Sequence, residues 1–208
     1  LAVVHPLAQL GVSLIITEKR KEIRSLIRKS GTSLYNSEEV PSENRAFAGL
    51  DFSKRRTLAS KLHSEKPVIL QADISRFFYT AYTHSIPWAV LGKEKAKELL
   101  RTNRKKLRAH WSNKIDEALQ SCQSRETVGI PVGPDTSRII AEILLSGVEA
   151  DKELMHLLKP NNSFRRLDDF SIGFDNEDDA KRALRAIRHA LWRYNLQLND
   201  EKTKILTS

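Results

Sequence analysis

The chain has 208 residues and a formal net charge of +9, with 29% charged and 40% hydrophobic residues. That composition is typical of a globular domain, and the absence of any run of about 18 apolar residues excludes a membrane-spanning helix. The single cysteine, Cys122, excludes an internal disulfide and a cysteine-built zinc site, and it favours a reducing compartment, here taken as the cytoplasm.

The N-terminal part is expected to be a helix followed by a loop. Because the chain begins at Leu1 and its only methionine is Met155, either a leader has been removed or, as we expect, the chain is a piece of a longer protein. Apolar residues at helical spacing predict a helix over Ser13–Lys29 with a basic outer face, since six Lys or Arg stand against two Glu between residues 18 and 29. The polar, glycine- and proline-containing stretch Ser30–Gly49 is expected to have little regular structure.

A buried strand comes next. Pro67 precedes the apolar, β-branched run Val68–Ile74, which predicts a strand that ends near a carboxylate, Asp73. The aromatic-rich stretch Phe77–Trp88 predicts a short helix.

The densest positive charge follows this helix. Lys93–Leu119 is predicted to be a long helix or a helix pair, and nine Lys or Arg stand against two Glu between residues 93 and 114. Such a cluster suits a polyanion such as nucleic acid, and the alternative of a solvated basic helix face stays open. Five residues are the candidates for contacting nucleic acid: Arg101, Arg104, Lys105, Lys106 and Arg108.

The second half alternates turns, helices and strands. Gly129–Pro134 is predicted to be a rigid turn that leads into a helix capped by Asp135 or Thr136. The alternation of Phe170, Ile172 and Phe174 predicts a strand with one buried face, in a hairpin with Asp168 and Asp169 at its turn. Asn176 is predicted to cap the last helix. The order of strand, helix, hairpin and helix predicts an α+β fold with helices packed on one side of an antiparallel sheet.

Three carboxylates are candidates for metal binding. Transfer of a nucleotide to a hydroxyl group uses two divalent cations about 4 Å apart, and a carboxylate at a strand end beside a carboxylate-bearing hairpin turn would meet that need. Asp73 and the pair Asp168 and Asp169 are so placed. An Asp-Asp pair in a turn is usually only solvent-exposed, whereas Asp73, at the end of an apolar strand, is expected to be partly buried and to need a partner.

Four segments in fixed order resemble the palm signatures of reverse transcriptases. They are Gln71-Ala-Asp-Ile-Ser-Arg-Phe-Phe78, Gly129-Ile-Pro-Val-Gly-Pro-Asp-Thr-Ser137, Arg166-Leu-Asp-Asp-Phe170 and Leu196-Gln-Leu-Asn-Asp-Glu-Lys-Thr203. The stretches 73–89 and 137–142 are most similar to the abortive-infection, phage-defence branch of the bacterial enzymes. The resemblance covers roughly residues 67–208 and is weak before them.

The resemblance implies a right-hand polymerase fold. Residues 67–208 would form the palm, with a basic helical insertion at about 92–125 that belongs to the fingers, and residues 1–66 would be part of a mainly helical fingers region. A thumb is expected to be absent after Ser208, so the isolated fragment would hold template and primer poorly and could be inactive.

The resemblance also implies roles for the acidic residues. Asp73 and Asp168 would ligate two Mg²⁺ or Mn²⁺ ions, with Asp169 adjacent and the Ile74 carbonyl completing a site. Lys202 would face the triphosphate and protonate the leaving pyrophosphate; an exposed lysine beside Glu201 is the alternative.

Nucleotide selection would fall to other residues. The Phe78 ring would exclude a ribose 2′-hydroxyl and favour deoxynucleotides; the alternative is a core aromatic. Pro131 and Gly133 would belong to the loop that supports the nascent base pair. Ser137 would hydrogen-bond backbone or template, or cap a helix.

Two departures from the family pattern leave alternatives open. Arg166 replaces the aromatic residue common two positions before the aspartate pair, which bears on catalytic competence, and Val132 replaces a common glutamine. The leading hypothesis is a metal-dependent DNA polymerase domain of phage defence, which joins deoxynucleotides to a 3′ or protein hydroxyl with RNA or DNA as partner, templated or not. The alternatives are a non-catalytic RNA-binding scaffold and, more weakly, another palm-fold nucleotidyl transferase. Oligomeric state is left open.

Overall fold

The computed structural model describes residues 3–39, 47–50 and 52–207. The chain divides into two compact units, each built from two stretches: Leu1–Lys29 with Phe77–Gly147 (the first unit), and Ser30–Arg76 with Val148–Ser208 (the second unit). In chain order the elements are α1 (Pro6–Glu18), α2 (Arg20–Ser30), β1 (Tyr35–Glu39), β2 (Phe47–Leu50), α3 (Phe52–Glu65), β3 (Val68–Asp73), α4 (Phe77–Thr80), α5 (Ser85–Leu91), α6 (Lys93–Thr102), α7 (Arg104–Ala109), α8 (Trp111–Ser121), α9 (Asp135–Glu149), α10 (Lys152–Met155), β4 (Ser163–Arg166), β5 (Asp169–Phe174), α11 (Glu177–Arg193) and β6 (Lys204–Thr207). The predicted α+β class is confirmed, and the predicted fingers and palm boundaries stay predictions.

The first unit is helical in its described residues. Helix α1 packs on α8, and α5 packs on both α6 and α8. The side chains of Ile86 and Ile115 are fully buried in this unit, and the Gln9 amide donates a hydrogen bond of 2.7 Å to the Thr136 hydroxyl. Within the described residues, no helix combines the length and apolarity needed to cross a membrane.

The basic segment is divided by local caps. Gly92, with φ of +86°, separates α5 from α6. The Asn103 side chain accepts a hydrogen bond from the Lys106 N–H and so begins α7, and the His110 side chain accepts from the Ser112 N–H and begins α8. The basic segment is therefore three helices rather than the one or two predicted.

The prediction of a loop over Ser30–Gly49 is wrong in part. Strands β1 and β2 form an antiparallel pair in which Tyr35 lies opposite Leu50. The sequence of β1, Tyr-Asn-Ser-Glu-Glu, lacks the apolar alternation that predicts a strand, and its pairing depends on β2 instead. Residues 40–46 of the stretch lie outside the described residues.

The second unit contains a four-stranded antiparallel sheet in the order β4-β5-β3-β6. One face carries the apolar side chains of Leu70, Phe170 and Ile172, each at most 2% exposed, and α11 contacts both β3 and β5. The predicted hairpin and the predicted Asn176 cap are confirmed, because β4 and β5 pair directly and the Asn176 side chain accepts from the Asp179 N–H at 2.9 Å.

The opposite face of the sheet is apolar at one end and acidic at the other. Helix α3 packs at the apolar end, where Leu62, Ile69 and Phe164 form a buried cluster. Asp73 and Asp169 lie at the other end, because β3 finishes where β5 begins. Helix α3 and the carboxylate pair therefore lie at opposite ends of the same face of the sheet.

Candidate active site

Asp73 and Asp169 face each other across two neighbouring strands. Asp73 is the last residue of β3, Asp169 is the first of β5, and the two are paired in the antiparallel register. Their carboxyl groups share a hydrogen bond. Opposed residues in an antiparallel pair bring their side chains to the same face within contact distance, so strand pairing alone joins two of the three predicted carboxylates.

The third carboxylate lies in the hairpin turn. Residues Leu167 and Asp168 connect β4 to β5, and Leu167 has a left-handed φ of +50°. The Asp168 carbonyl accepts a hydrogen bond of 3.2 Å from the Ile74 N–H, one residue beyond β3. The backbone that carries Ile74 is therefore fastened to the turn that carries Asp168.

Lys202 reaches the same place from the C-terminal segment. Its Nζ lies 3.4 Å from Asp73 Oδ2, with the lysine side chain 66% exposed and that of Asp73 13% exposed. The Asn199 N–H donates to the Asp73 carbonyl at 2.8 Å, and the Asn199 side chain accepts from the Glu201 and Lys202 N–H groups. This turn fixes the start of the lysine side chain beside the carboxylates.

The environment of Asp168 and Asp169 disfavours the ionised form of these two carboxyl groups. Burial, the hydrogen bond that the Asp169 carboxyl group donates to Asp73 and the neighbouring carboxylate charges raise the pKa of Asp169 to about 6, while the Arg166 charge opposes this. Burial also raises the pKa of Asp168, with the Asp73 charge adding to it. The acidic end of the sheet is thus short of positive charge, which a bound cation would supply.

The donor set fits Mg²⁺ or Mn²⁺ only with help from the substrate. Across the described residues, no three histidine, cysteine, aspartate or glutamate side chains are grouped so that they could hold a metal ion. Magnesium, however, is usually held by one or two carboxylates together with water and substrate phosphates. The pair Asp73 and Asp169, with Asp168 and the Ile74 carbonyl nearby, is compatible with that mode of binding.

A buried arginine behind the hairpin is the feature that the sequence analysis missed. Arg165 is fully buried, its Nε donates to Glu149 Oε1 at 2.6 Å, and its Nη1 donates to the Leu167 carbonyl at 2.9 Å. The Thr32 hydroxyl donates to the same Glu149 oxygen at 2.6 Å. A charge-assisted hydrogen bond from Arg165 therefore fixes the carbonyl of Leu167, which has a left-handed backbone conformation and directly precedes Asp168.

The signal for Arg165 was present in the strand alternation. Arg166 pairs with Asp169 on the carboxylate face, so Arg165 must point to the face of Phe170, with which it is paired. A strand with two successive arginines next to a buried aromatic partner indicates that one of them is inside.

The other predicted site residues belong to the first unit. Phe77 is 1% exposed and Phe78 is half-buried, with their rings in edge-to-face contact. The Phe78 carbonyl accepts a hydrogen bond of 2.6 Å from the Ile130 N–H, so the turn at Gly129–Pro134 is joined to α4. Gly133 has φ of +133°, Pro131 is buried, and Ser137 is 3% exposed in the first turn of α9.

The five basic candidates lie on two neighbouring helices. Arg101 is in α6, and Arg104, Lys105, Lys106 and Arg108 are in α7. All five side chains are exposed. Exposure is required for phosphate contact and is equally compatible with a solvated face.

Comparison with known proteins identifies the family. The sequence matches the model of the family described as "Reverse transcriptase (RNA-dependent DNA polymerase)" over residues 19–208, which extends further toward the N-terminus than the predicted resemblance. A search of curated protein sequences found no match.

Solved structures show a similar fold. The apo telomerase of Candida tropicalis is 15% identical, with a TM-score of 0.59 over 95% of this chain and 37% of that chain. The same telomerase truncated from its C-terminal domain is 16% identical, with a TM-score of 0.54 over 93% of this chain and 40% of that chain. The chain therefore spans less than half the length of these structures. The family match and the shared fold together place the chain in the reverse transcriptase family.

Proposed function

We propose that the chain is the nucleotidyl-transfer part of a reverse-transcriptase-type DNA polymerase, which joins deoxynucleotides to a 3′ or protein hydroxyl. The observation that carries this proposal is the pairing of Asp73 with Asp169 across β3 and β5, with Lys202 Nζ 3.4 Å from Asp73. Two carboxylates and one exposed ammonium group close together are side chains of the kind that phosphoryl transfer uses for positioning and charge compensation.

Each residue has a role in this proposal. Asp73, Asp168 and Asp169, with the Ile74 carbonyl, would hold two Mg²⁺ or Mn²⁺ ions, which supply Lewis acidity and charge compensation when bound. Lys202 would neutralise the triphosphate and give a proton to the departing pyrophosphate oxygen. Phe78 would exclude a 2′-hydroxyl, and the loop with Pro131 and Gly133, followed by Ser137, would support the incoming base pair.

The partners of this reaction are deoxynucleoside triphosphates and nucleic acid. The net charge of +9 and the exposed basic residues of α6 and α7 favour a polyanionic partner. The similarity of residues 73–89 and 137–142 to the abortive-infection branch supports a role in phage defence, in which synthesis is templated or untemplated.

The test uses the full-length protein with each labelled deoxynucleotide, with and without RNA, in Mg²⁺ or Mn²⁺. We expect incorporation by the wild type and none by the Asp168→Asn/Asp169→Asn variant. The matched control is Asp178→Asn, which removes one exposed carboxylate from the first turn of α11. Unchanged incorporation in the double variant would reject this site.

Arg166 favours a second candidate function. It lies opposite Asp169 in the register, and its charge opposes the rise in the pKa values of Asp168 and Asp169. An arginine that compensates the charge of these carboxylates would do so without a metal ion, as expected of a non-catalytic RNA-binding scaffold. Calorimetry with Mn²⁺ and a deoxynucleoside triphosphate distinguishes the two: heat that is lost in Asp168→Asn/Asp169→Asn supports the polymerase, and its absence in the wild type supports the scaffold.

A further inference from the structure

A cavity of about 700 Å³ lies within the first unit. Its wall comes from α5 to α8 and the residues beside them, and it has two chemical parts. The aromatic part is Tyr82 and Trp88. The basic part consists of Lys97, Arg104, Arg108 and Arg125.

The acidic groups of the wall are already engaged. Asp116 is 1% exposed, and its two oxygens lie 2.5 Å from His84 Nδ1 and 2.7 Å from Gln120 Nε2. The hydrogen bond that His84 donates to Asp116 raises the pKa of His84, which favours the charged imidazolium beside that carboxylate. The Asp116 charge is therefore compensated within the wall and is not available to a cation.

The remaining charge of the cavity is positive. Glu117 accepts a hydrogen bond of 3.0 Å from Asn113 and lies 3.8 Å from Arg108. Within the described part of the chain, no carboxylate forms an ion pair with Lys97, Arg104 or Arg125, although all three line the cavity. An anion is thus the ligand that the charges favour, and guanidinium groups match the geometry of phosphate in particular.

The aromatic part adds a second requirement. The Tyr82 and Trp88 rings are 5.6 Å apart and tilted, and Lys93 Nζ lies 4.5 Å from the Trp88 ring centroid. An inorganic anion would make no use of these rings, whereas a planar base stacks on them. A volume of about 700 Å³ is within the range of small-molecule sites and holds a base, a sugar and a phosphate together.

We infer that this cavity binds a nucleoside 5′-phosphate, with the phosphate on the arginine and lysine side chains and the base against Tyr82 and Trp88. The inference goes beyond the proposed polymerase function, because every lining residue belongs to the first unit and the carboxylates of the candidate active site belong to the second. The phosphate has two sources, a free nucleotide or the 5′ end of a single strand.

Helix α7 offers a matched pair of variants. Arg104→Gln/Arg108→Gln removes two charges that line the cavity, and Lys105→Gln/Lys106→Gln removes two exposed charges of the same helix that do not. Binding of AMP and dAMP to the full-length protein is measured by calorimetry, and binding of a single strand with a 5′-phosphate or a 5′-hydroxyl by fluorescence anisotropy. Inorganic phosphate is the probe for simple anion binding.

We expect the cavity pair to weaken the binding of AMP and dAMP by roughly tenfold or more, since charge-assisted hydrogen bonds are lost, and the control pair to weaken the binding of AMP and dAMP by less than about twofold. Trp88→Leu should weaken nucleotide binding while leaving the binding of inorganic phosphate unchanged. Tighter binding of the strand with a 5′-phosphate than of the strand with a 5′-hydroxyl assigns the phosphate to strand ends. Equal binding of the two strands, together with binding of AMP, assigns it to free nucleotides.

Three results would overturn the inference: equal losses of AMP and dAMP binding from both α7 pairs, inorganic phosphate binding as tightly as AMP, or no binding of AMP, dAMP and the phosphorylated strand. Thermal melting of each variant checks folding, and Lys97→Gln serves as a second cavity variant should Arg104→Gln/Arg108→Gln unfold. The Asp168→Asn/Asp169→Asn protein should bind these probes as the wild type does, so that failure of the cavity and failure of the polymerase are observed separately.

Discussion

At the scale of single residues, the buried guanidinium of Arg165 links the sheet interior to the hairpin turn. It contacts Glu149, the Leu167 carbonyl and, at 5.9 Å, the Phe170 ring. A buried ion pair of this kind adds little net stability compared with apolar residues, but the loss of one partner leaves an uncompensated charge. Its value to the protein is then the fixed geometry of the turn before Asp168.

We predict that Arg165→Met lowers the free energy of unfolding by about 3–5 kcal/mol, because Glu149 is left buried and charged. The double variant Arg165→Met/Glu149→Met should be more stable than the single variant, since no charge stays buried. Urea unfolding of both variants measures the difference. A double variant that is less stable than Arg165→Met would contradict this account.

His84 should give the protein a pH-dependent stability. The hydrogen bond to Asp116 raises the pKa of His84 in the folded state, against the opposing effect of burial. The stabilisation is therefore fully present below the unfolded pKa, about 6.5, and is lost as the pH rises through the folded pKa.

Urea unfolding of the wild type and His84→Gln between about pH 5.5 and pH 8.5 tests this effect. The wild type should lose its stability advantage over the variant as the pH rises. The other histidines are common to both proteins, so their titration cancels. A difference that stays constant with pH would show that the His84 charge does not contribute.

The residues that sequence predicted and those it did not differ in where their partners lie. Asp73 and Asp169 follow from local alternation, because a strand that ends in a carboxylate and a hairpin that begins with one meet wherever the strands pair. Glu149 and Thr32 have no such signal, since they come from the end of α9 and from a segment 117 positions earlier. Burial of Arg165 depends on both, and only the folded chain brings them together.

At the scale of elements, Gly173 limits how closely α3 packs on β5. A Cβ atom at this position would lie 2.6 Å from Lys66 Cγ and 2.7 Å from Leu62 Cδ1. We predict that Gly173→Ala lowers the free energy of unfolding by about 1–3 kcal/mol through overpacking. Urea unfolding measures this loss.

Gly11→Ala is the matched control for this variant. Gly11 is inside α1, and a Cβ atom there would have nothing within 4 Å. The same substitution should therefore raise stability by about 0.5–1 kcal/mol, because alanine loses less backbone entropy in a helix. Equal effects of the two variants would show that contact with α3 does not decide the result.

Elements with their own local signals could be predicted, and elements that depend on a partner could not. The start of α11 can be predicted from the sequence, because Asn176 is a typical cap residue and acidic residues follow it in the first turn. By contrast, β1 and β2 are defined by mutual pairing. The prediction of one or two helices over the basic segment missed the Asn103 cap, whose side chain accepts a hydrogen bond from the Lys106 N–H.

At the scale of the whole molecule, the net charge of +9 should govern binding to nucleic acid. We predict that affinity for single-stranded RNA falls with salt, and that Arg104→Gln/Arg108→Gln and Lys105→Gln/Lys106→Gln each reduce the slope of log K against log salt by about 1.4, from 0.7 per phosphate contact. Anisotropy titrations at several salt concentrations measure the slope. No change in slope for either pair would assign these residues to a solvated face.

Because each unit is made of two separate stretches of the chain, a single cut in the chain can divide both units. Each unit combines one stretch from before Phe77 with one stretch from after it, and α1 packs on α8 across the intervening sequence. Contacts of such long range form slowly, since loop closure must precede them. A single protease cut between Arg76 and Phe77 would yield two polypeptides, and each unit needs a part of both. The two halves should therefore copurify as a complex, and neither half should fold when it is expressed alone.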